Sequence, residues 1–251
     1  MGLRDIISRR MKDLDKILKG RRTLCFFDLE GTQITHEIIE IGAYKVTLRE
    51  DGTIKKVHRP YKAYVKAKHP VGSVVTKLTG ITDAKLAKEG IPYRQMQSEF
   101  IHYIGKDWDR ALFIAYGSQD GHMFMASAEN NMDASMECAR YLSKRVFDFC
   151  HFLSHYIRSD AGDPLSLKHM CEVFGISFEG QQHDALSDAY NLLCVYRHFL
   201  SDTDIVKEQY EKVLVRSNSI PYPARKIIRM LKEGKTATIE DLNKAVEEAL
   251  S

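Results

Sequence analysis

The stretch TLCFFDLE, residues 23–30, decides how this chain is read. Leu24, Cys25, Phe26 and Phe27 form a short apolar run typical of a buried strand. Asp28 and Glu30 follow at its end. Residues i and i+2 of a strand point to the same face, so the two acids converge on one point. Like charges that close repel each other and raise each other's pKa unless a cation neutralises them. Hard oxygen ligands at the end of a buried strand suit Mg²⁺ or Mn²⁺. Two acids so spaced also arise by chance, so the metal reading depends on what the rest of the chain brings to them.

Outward from this strand, residues 38–48 form a second strand rich in β-branched and aromatic residues. Asp51-Gly52 is a hairpin turn, and residues 53–65 should return as a third, antiparallel strand. The pattern then turns helical over 73–79 and 83–88, around Gly80. Pro92 opens a longer helix to about Ile104. Residues 111–116 are another apolar strand, 121–130 a helix and 145–149 a strand followed by helix through Ile157. Residues 165–174 and 184–200 are periodic helices. An antiparallel hairpin followed by alternating helix and strand predicts an α/β fold with a mixed sheet.

Two more clusters fall at comparable places. Asp120 follows the apolar run Leu112-Phe113-Ile114-Ala115-Tyr116 and the turn at Gly117-Ser118. That is the strand edge where α/β sheets place ligands, although Asp120 taken alone reads better as a plain helix cap. Gln182-His183-Asp184-Ala185-Leu186-Ser187-Asp188 opens the helix at 184. Five residues do not align on a helix, so His183 and Asp188 meet only if His183 lies on a loop just before it. Asp184 reads as a cap. Together, Asp28, Glu30, Asp120 and Asp188 supply four carboxylates for two divalent cations, which can clamp a phosphodiester. A histidine suits removal of a proton from the attacking water because this residue type titrates near neutrality.

The ordered set resembles the DEDDh 3′→5′ exonucleases. Asp28 and Glu30 match the family's D-x-E, Asp120 its second acid, and His183 with Asp188 its H-x4-D. Leu78-Thr79-Gly80-Ile81-Thr82 is similar to the family's L-T-G-I-T segment. The resemblance spans about residues 22–200. It implies a ribonuclease-H-like fold, two Mg²⁺ or Mn²⁺ ions, and release of 5′-mononucleotides from the 3′ end of single-stranded RNA or DNA. It also implies that Gly31, Thr32, Gln33 and Ile34 hold the terminal nucleotide. Glu37–Val46 and the F-x-G-x-x-H pattern at 178–183 look closest to the Eri/KapD-like branch.

The remaining signals bound the answer. The 251 residues, 44% hydrophobic and 28% charged, fit an ordinary globular protein. No apolar run is long enough for a membrane span and no secretory pattern is present, so a cytoplasmic location is expected. Five cysteines without C-x-x-C spacing read as free thiols. His151 and His155 have metal-like spacing with Asp148 but sit among phenylalanines, which favours a structural role. Phosphate-cradling glycine motifs are missing, which excludes nucleotide-driven motors and dehydrogenases. Residues 1–22 carry eight Lys/Arg against Asp5, Asp13 and Asp15. A basic amphipathic helix over 3–19 is expected there, with possible phosphate contact. Composition shifts at Ser201. The expected organisation is an N-terminal helix (1–21), an exonuclease domain (22–200) and a small helical C-terminal appendage (201–251).

Overall fold

Thr23–Gly31 is the central strand, β1, and its side chains serve two layers. Phe27, one residue out of phase with the acids, packs on Phe124 with ring centroids 5.8 Å apart. Phe26, in phase with Asp28 and Glu30, packs on Tyr196 at 5.0 Å. The acids therefore lie on the face covered by the helix that carries Tyr196. The computed structural model describes residue 14, residues 16–216 and residues 220–250. Most of the expected helix at 3–19, with its basic residues and any phosphate contact, lies outside the described residues.

The sheet is mixed, with six strands. β2 (Ile38–Leu48) runs antiparallel to β1, with Asp28 opposite Gly42 and Glu30 opposite Glu40. β3 (Ile54–Val57) and β4 (Tyr61–Tyr64) both pair with β2. The third strand expected over 53–65 is thus broken in two. Pro60 lacks a ladder donor, and the Tyr103 hydroxyl enters the gap, accepting the Lys45 amide at 2.7 Å and donating to the Arg59 carbonyl at 3.0 Å. β5 (Leu112–Ala115) lies parallel to β1 on its other side, and β6 (Val146–Asp148) parallel to β5.

The helices are α1 (Ser73–Thr79), α2 (Asp83–Glu89), α3 (Tyr93–Ile104), α4 (Gln119–Asn130), α5 (Met136–Ser143), α6 (Phe149–Leu153), α7 (Leu167–Val173), α8 (Ala185–Ser201), α9 (Thr203–Arg216), α10 (Tyr222–Lys232) and α11 (Ile239–Leu250). α5 was not expected from the sequence, although Ser135 caps it through the Cys138 amide. α6 ends at Leu153, short of the expected Ile157. None of the described helices is long and apolar enough to cross a membrane. None of the five cysteines is in a disulfide, and Cys25, Cys138 and Cys171 are buried.

The chain divides into two compact units. One comprises Met1–Phe149 with Leu167–Ser201, and the other Cys150–Ser166 with Asp202–Ser251. The first holds the sheet and every candidate site residue. In the second, Tyr156 packs on Tyr210 and Arg216 pairs with Asp160. α10 and α11 are joined there through Lys226 and Glu248, 2.5 Å apart.

Candidate active site

β1 delivers Asp28 and Glu30 at its C-terminal end. The parallel ladder to β5 stops at Phe26 opposite Ile114. Beyond it, the Leu29 amide is free of the ladder and donates to the Asp120 carboxylate instead. β5 leads through Gly117 and Ser118 into α4, so Asp120 sits in that helix's first turn, 7% exposed. It is not the helix cap: that position is Ser118.

The other half of the site arrives on α8. Gly42 faces Asp28 across the ladder, and a Cβ there would lie 2.2 Å from the Leu186 nitrogen and 2.3 Å from the Ala185 carbonyl carbon. Only glycine lets the start of α8 approach the sheet this closely. Asp188 follows in the first turn of α8. His183 precedes the helix with φ +62°. Its amide donates to Asp188 Oδ2 at 2.9 Å, and its Nδ1 lies 3.7 Å from Glu30 Oε1. Glu30, His183 and Asp188 each present a ligand atom within 4.8 Å of the others'. The five-residue spacing works because the left-handed backbone at His183 turns the chain back over the helix start.

Burial and mutual repulsion dominate the electrostatics of the four acids. Burial pushes the Glu30 carboxyl up to about 8, helped by Asp188, Glu40 and Asp120. Burial also raises Asp120 to about 7, although its own amide and that of Leu29 oppose the shift. Asp188 rises to about 6 for the same reason, against the His183 amide and imidazole. Asp28 is raised well above the carboxylate range by burial and by Asp120, Asp188, Glu30 and Glu40. Among the described residues no lysine or arginine forms an ion pair with any of the four. Buried carboxylates left without a counter-charge are what a bound divalent cation would neutralise.

The segment after Glu30 is tied to α1. The Gln33 amide donates to the Val71 carbonyl at 2.9 Å, and its side-chain oxygen accepts the Val74 amide at 3.2 Å. Thr32 is buried, its hydroxyl bonded to Thr35 and to the Glu37 amide. Gly31 packs against Met123, and Ile34 projects outward, 84% exposed. Glu37 holds the opposite loop. Burial alone would raise its carboxyl, but hydrogen bonds from the Lys68 and His69 amides, the His69 ring and Thr35 hold it below its ordinary value. His151 and His155, the rival pair, stack edge to face at 5.0 Å.

Two further residues at the site, Glu40 and Lys62, were not assigned from sequence, and Asp184 is the cap that was expected there. Glu40, 2% exposed at its side chain, accepts the Ala185 amide at 3.1 Å and pairs with Lys62 Nζ at 3.0 Å. Lys62 also bonds Asp184. Asp184 in turn caps α8 through the Ser187 amide and hydroxyl, both at 2.9 Å. The signal was a lone acid within the apolar run IIEIGA at 38–43. A charge there is buried and needs a partner.

Comparison with known proteins gives the family and the fold. A family model described as Exonuclease (RNase_T) matches residues 25–196. A PolC-type DNA polymerase III from Caldanaerobacter subterraneus subsp. tengcongensis is 28% identical over 127 residues, 46% of this chain but only 8% of that polymerase. The chain therefore spans a small part of that relative. Among solved structures, the nuclease domain of 3′hExo, a DEDDh family member bound to rAMP, aligns with a TM-score of 0.58 at 18% identity. The alignment covers 72% of this chain and 93% of that one. E. coli Exonuclease I in complex with a dT13 oligonucleotide aligns with a TM-score of 0.56 at 16% identity, covering 76% of this chain and 43% of its own. At such identities the likeness is one of fold.

Proposed function

Since the chain belongs to the exonuclease family whose model spans residues 25–196, we propose that it removes 5′-mononucleotides from the 3′ end of single-stranded nucleic acid with two divalent cations. The observation that carries this reading is the convergence of Glu30, His183 and Asp188, whose ligand atoms lie within 4.8 Å of one another, beside the buried Asp28 and Asp120; among the described residues no lysine or arginine pairs with any of the four acids. Asp28, Glu30, Asp120 and Asp188 would hold the cations. Bound there, two Mg²⁺ or Mn²⁺ ions supply charge that polarises the scissile phosphodiester and stabilises the leaving oxygen.

The chain's own groups do the rest. His183, its side chain half exposed at the mouth of the site, takes the proton of the attacking water and passes it to solvent. The Asp188 carboxylate fixes the His183 backbone through the 2.9 Å bond and so sets where the ring can reach. Gly31–Ile34 seats the terminal nucleotide, and the exposed Ile34 offers an apolar surface to a base. The fold neighbours holding rAMP and dT13 support a substrate that is either RNA or DNA.

The test is a 5′-labelled single-stranded oligonucleotide, as RNA and as DNA, incubated with Mn²⁺. The expected product is a ladder shortened from the 3′ end. Asp28→Ala and Asp188→Ala should each lower the rate at least ~100-fold, since even losses one shell outside a metal cost about 10–100-fold. Near-normal activity in either variant would remove these residues from the metal site.

A further inference from the structure

The acids of the site stand on a three-strand platform whose second layer is also charged. Asp28, Gly42 and Lys62 face one another across β1, β2 and β4, and Glu30, Glu40 and Tyr64 form the next such row. Directly opposite residues in a ladder project to one face. Glu40 and Lys62 therefore lie beside the catalytic carboxylates, under the start of α8. Glu40 nevertheless has a protein group against each oxygen. Oε2 accepts the Ala185 amide, an N-terminal donor of α8, at 3.1 Å, while the buried Oε1 has no hydrogen-bond donor and is held by charge alone, in an ion pair 3.0 Å from Lys62 Nζ. Lys62 reaches on to Asp184, whose other oxygen caps the same helix at Ser187.

We infer that Glu40 and Lys62 are positioning residues for the exonuclease reaction: a strut, rather than further metal ligands, that fixes the height and rotation of α8 over β1. Three points tie the helix down. The backbone of Ala185 and Leu186 rests on Gly42, the Ala185 amide is held by Glu40, and the Asp184 cap is held by Lys62. His183 and Asp188 flank these points in sequence, so a shift of the helix start moves both relative to Asp28 and Glu30. Positioning of this kind is sensitive, because small displacements of catalytic groups carry large rate losses. Lys62 has a second effect. It supplies the positive charge that lets Glu40 stay buried beside four other carboxylates without drawing a cation of its own.

This inference rests on the functional reading above, and the experiment separates the two. Wild type, Glu40→Gln, Lys62→Met and Lys62→Arg are compared by Mn²⁺ titration and by steady-state hydrolysis of a single-stranded oligonucleotide. In Glu40→Gln and Lys62→Met, Mn²⁺ affinity should fall about 10-fold and kcat about 10–100-fold, with KM within about twofold. Lys62→Arg, which keeps the charge and reach, should return kcat to within several-fold of wild type. If Lys62→Met does not fold, Asp184→Ser takes its place, since serine can still cap α8 but cannot pair with Lys62. Wild-type protein that hydrolyses no nucleic acid would defeat the functional reading. Active wild type with Mn²⁺ affinity and kcat unchanged in the folded variants would overturn the strut. A loss carried by KM alone would overturn it as well, because it would place these residues in substrate binding.

Discussion

At the scale of single residues, the site is defined by carboxylates that the fold holds together against their mutual repulsion. Their raised pKa values make a thermodynamic prediction. A carboxyl whose folded pKa lies above its unfolded value binds more protons in the native state. Its penalty begins above the ordinary carboxylate range and is complete above the folded pKa. With Asp188 near 6, Asp120 near 7 and Glu30 near 8, the metal-free protein should lose stability from about pH 5 to above pH 8. A cation that binds the ionised acids releases their protons and offsets that loss. Thermal melts at pH 5.5 and 8.5 with and without Mn²⁺ should therefore show the larger gain in Tm at pH 8.5. Equal gains at the two values would mean that the cation does not occupy this cluster. His183 adds a conformational element. A non-glycine residue at φ +62° is uncommon, and it persists here because the Asp188 carboxylate holds its amide.

At the scale of elements, the meeting of β2 with α8 matters most. Gly42→Ala would set a methyl group against backbone atoms 2.2–2.4 Å away, and no rotamer change relieves backbone. The variant should lose about 1–3 kcal/mol of stability, read from denaturant midpoints, and a larger share of its activity than of its stability. An active, fully stable G42A protein would show that the helix start tolerates displacement. The sequence allowed β1, β2, β5, α3 and α8 to be recognised because their apolar runs and periodicities agree with their burial. Asp28, Glu30, Asp120, His183 and Asp188 were nominated from their places at strand ends and a helix start, and the structure brings all five to one end of β1. Less could be read where partners come from afar. The break at Pro60 depends on the Tyr103 hydroxyl from α3, and the shared role of Glu40, Lys62 and Asp184 exists only once β2, β4 and α8 are adjacent. Thr32, expected at a substrate, spends its hydroxyl within its own loop.

At the scale of the whole molecule, the two units differ in how much they bury. The first has a sheet filled on both faces. In the described part of 202–250, Val206 and Ala245 are the buried side chains. Regions with few buried apolar contacts open first. Amides of α10 and α11 should exchange with solvent at least ~100-fold faster than those of β1 by hydrogen-exchange mass spectrometry, and comparable protection would mean that something not evident in the chain shields them. The division between the units also follows an unusual route. The chain leaves the first unit after Phe149, returns at Leu167 and leaves again after Ser201. A ribosome making this protein therefore completes the sheet long before it supplies Asp188, and it supplies 150–166 well before that segment's own partners. Until residue 188 has emerged, the nascent chain carries only part of the candidate site, and until 202–251 follow, it carries without the rest of its unit a segment bearing Phe152, Leu153 and Ile157, side chains that are buried in the finished protein. The order of translation thus keeps the candidate site incomplete until most of the polypeptide exists, and a truncation at residue 201 would strand that segment permanently.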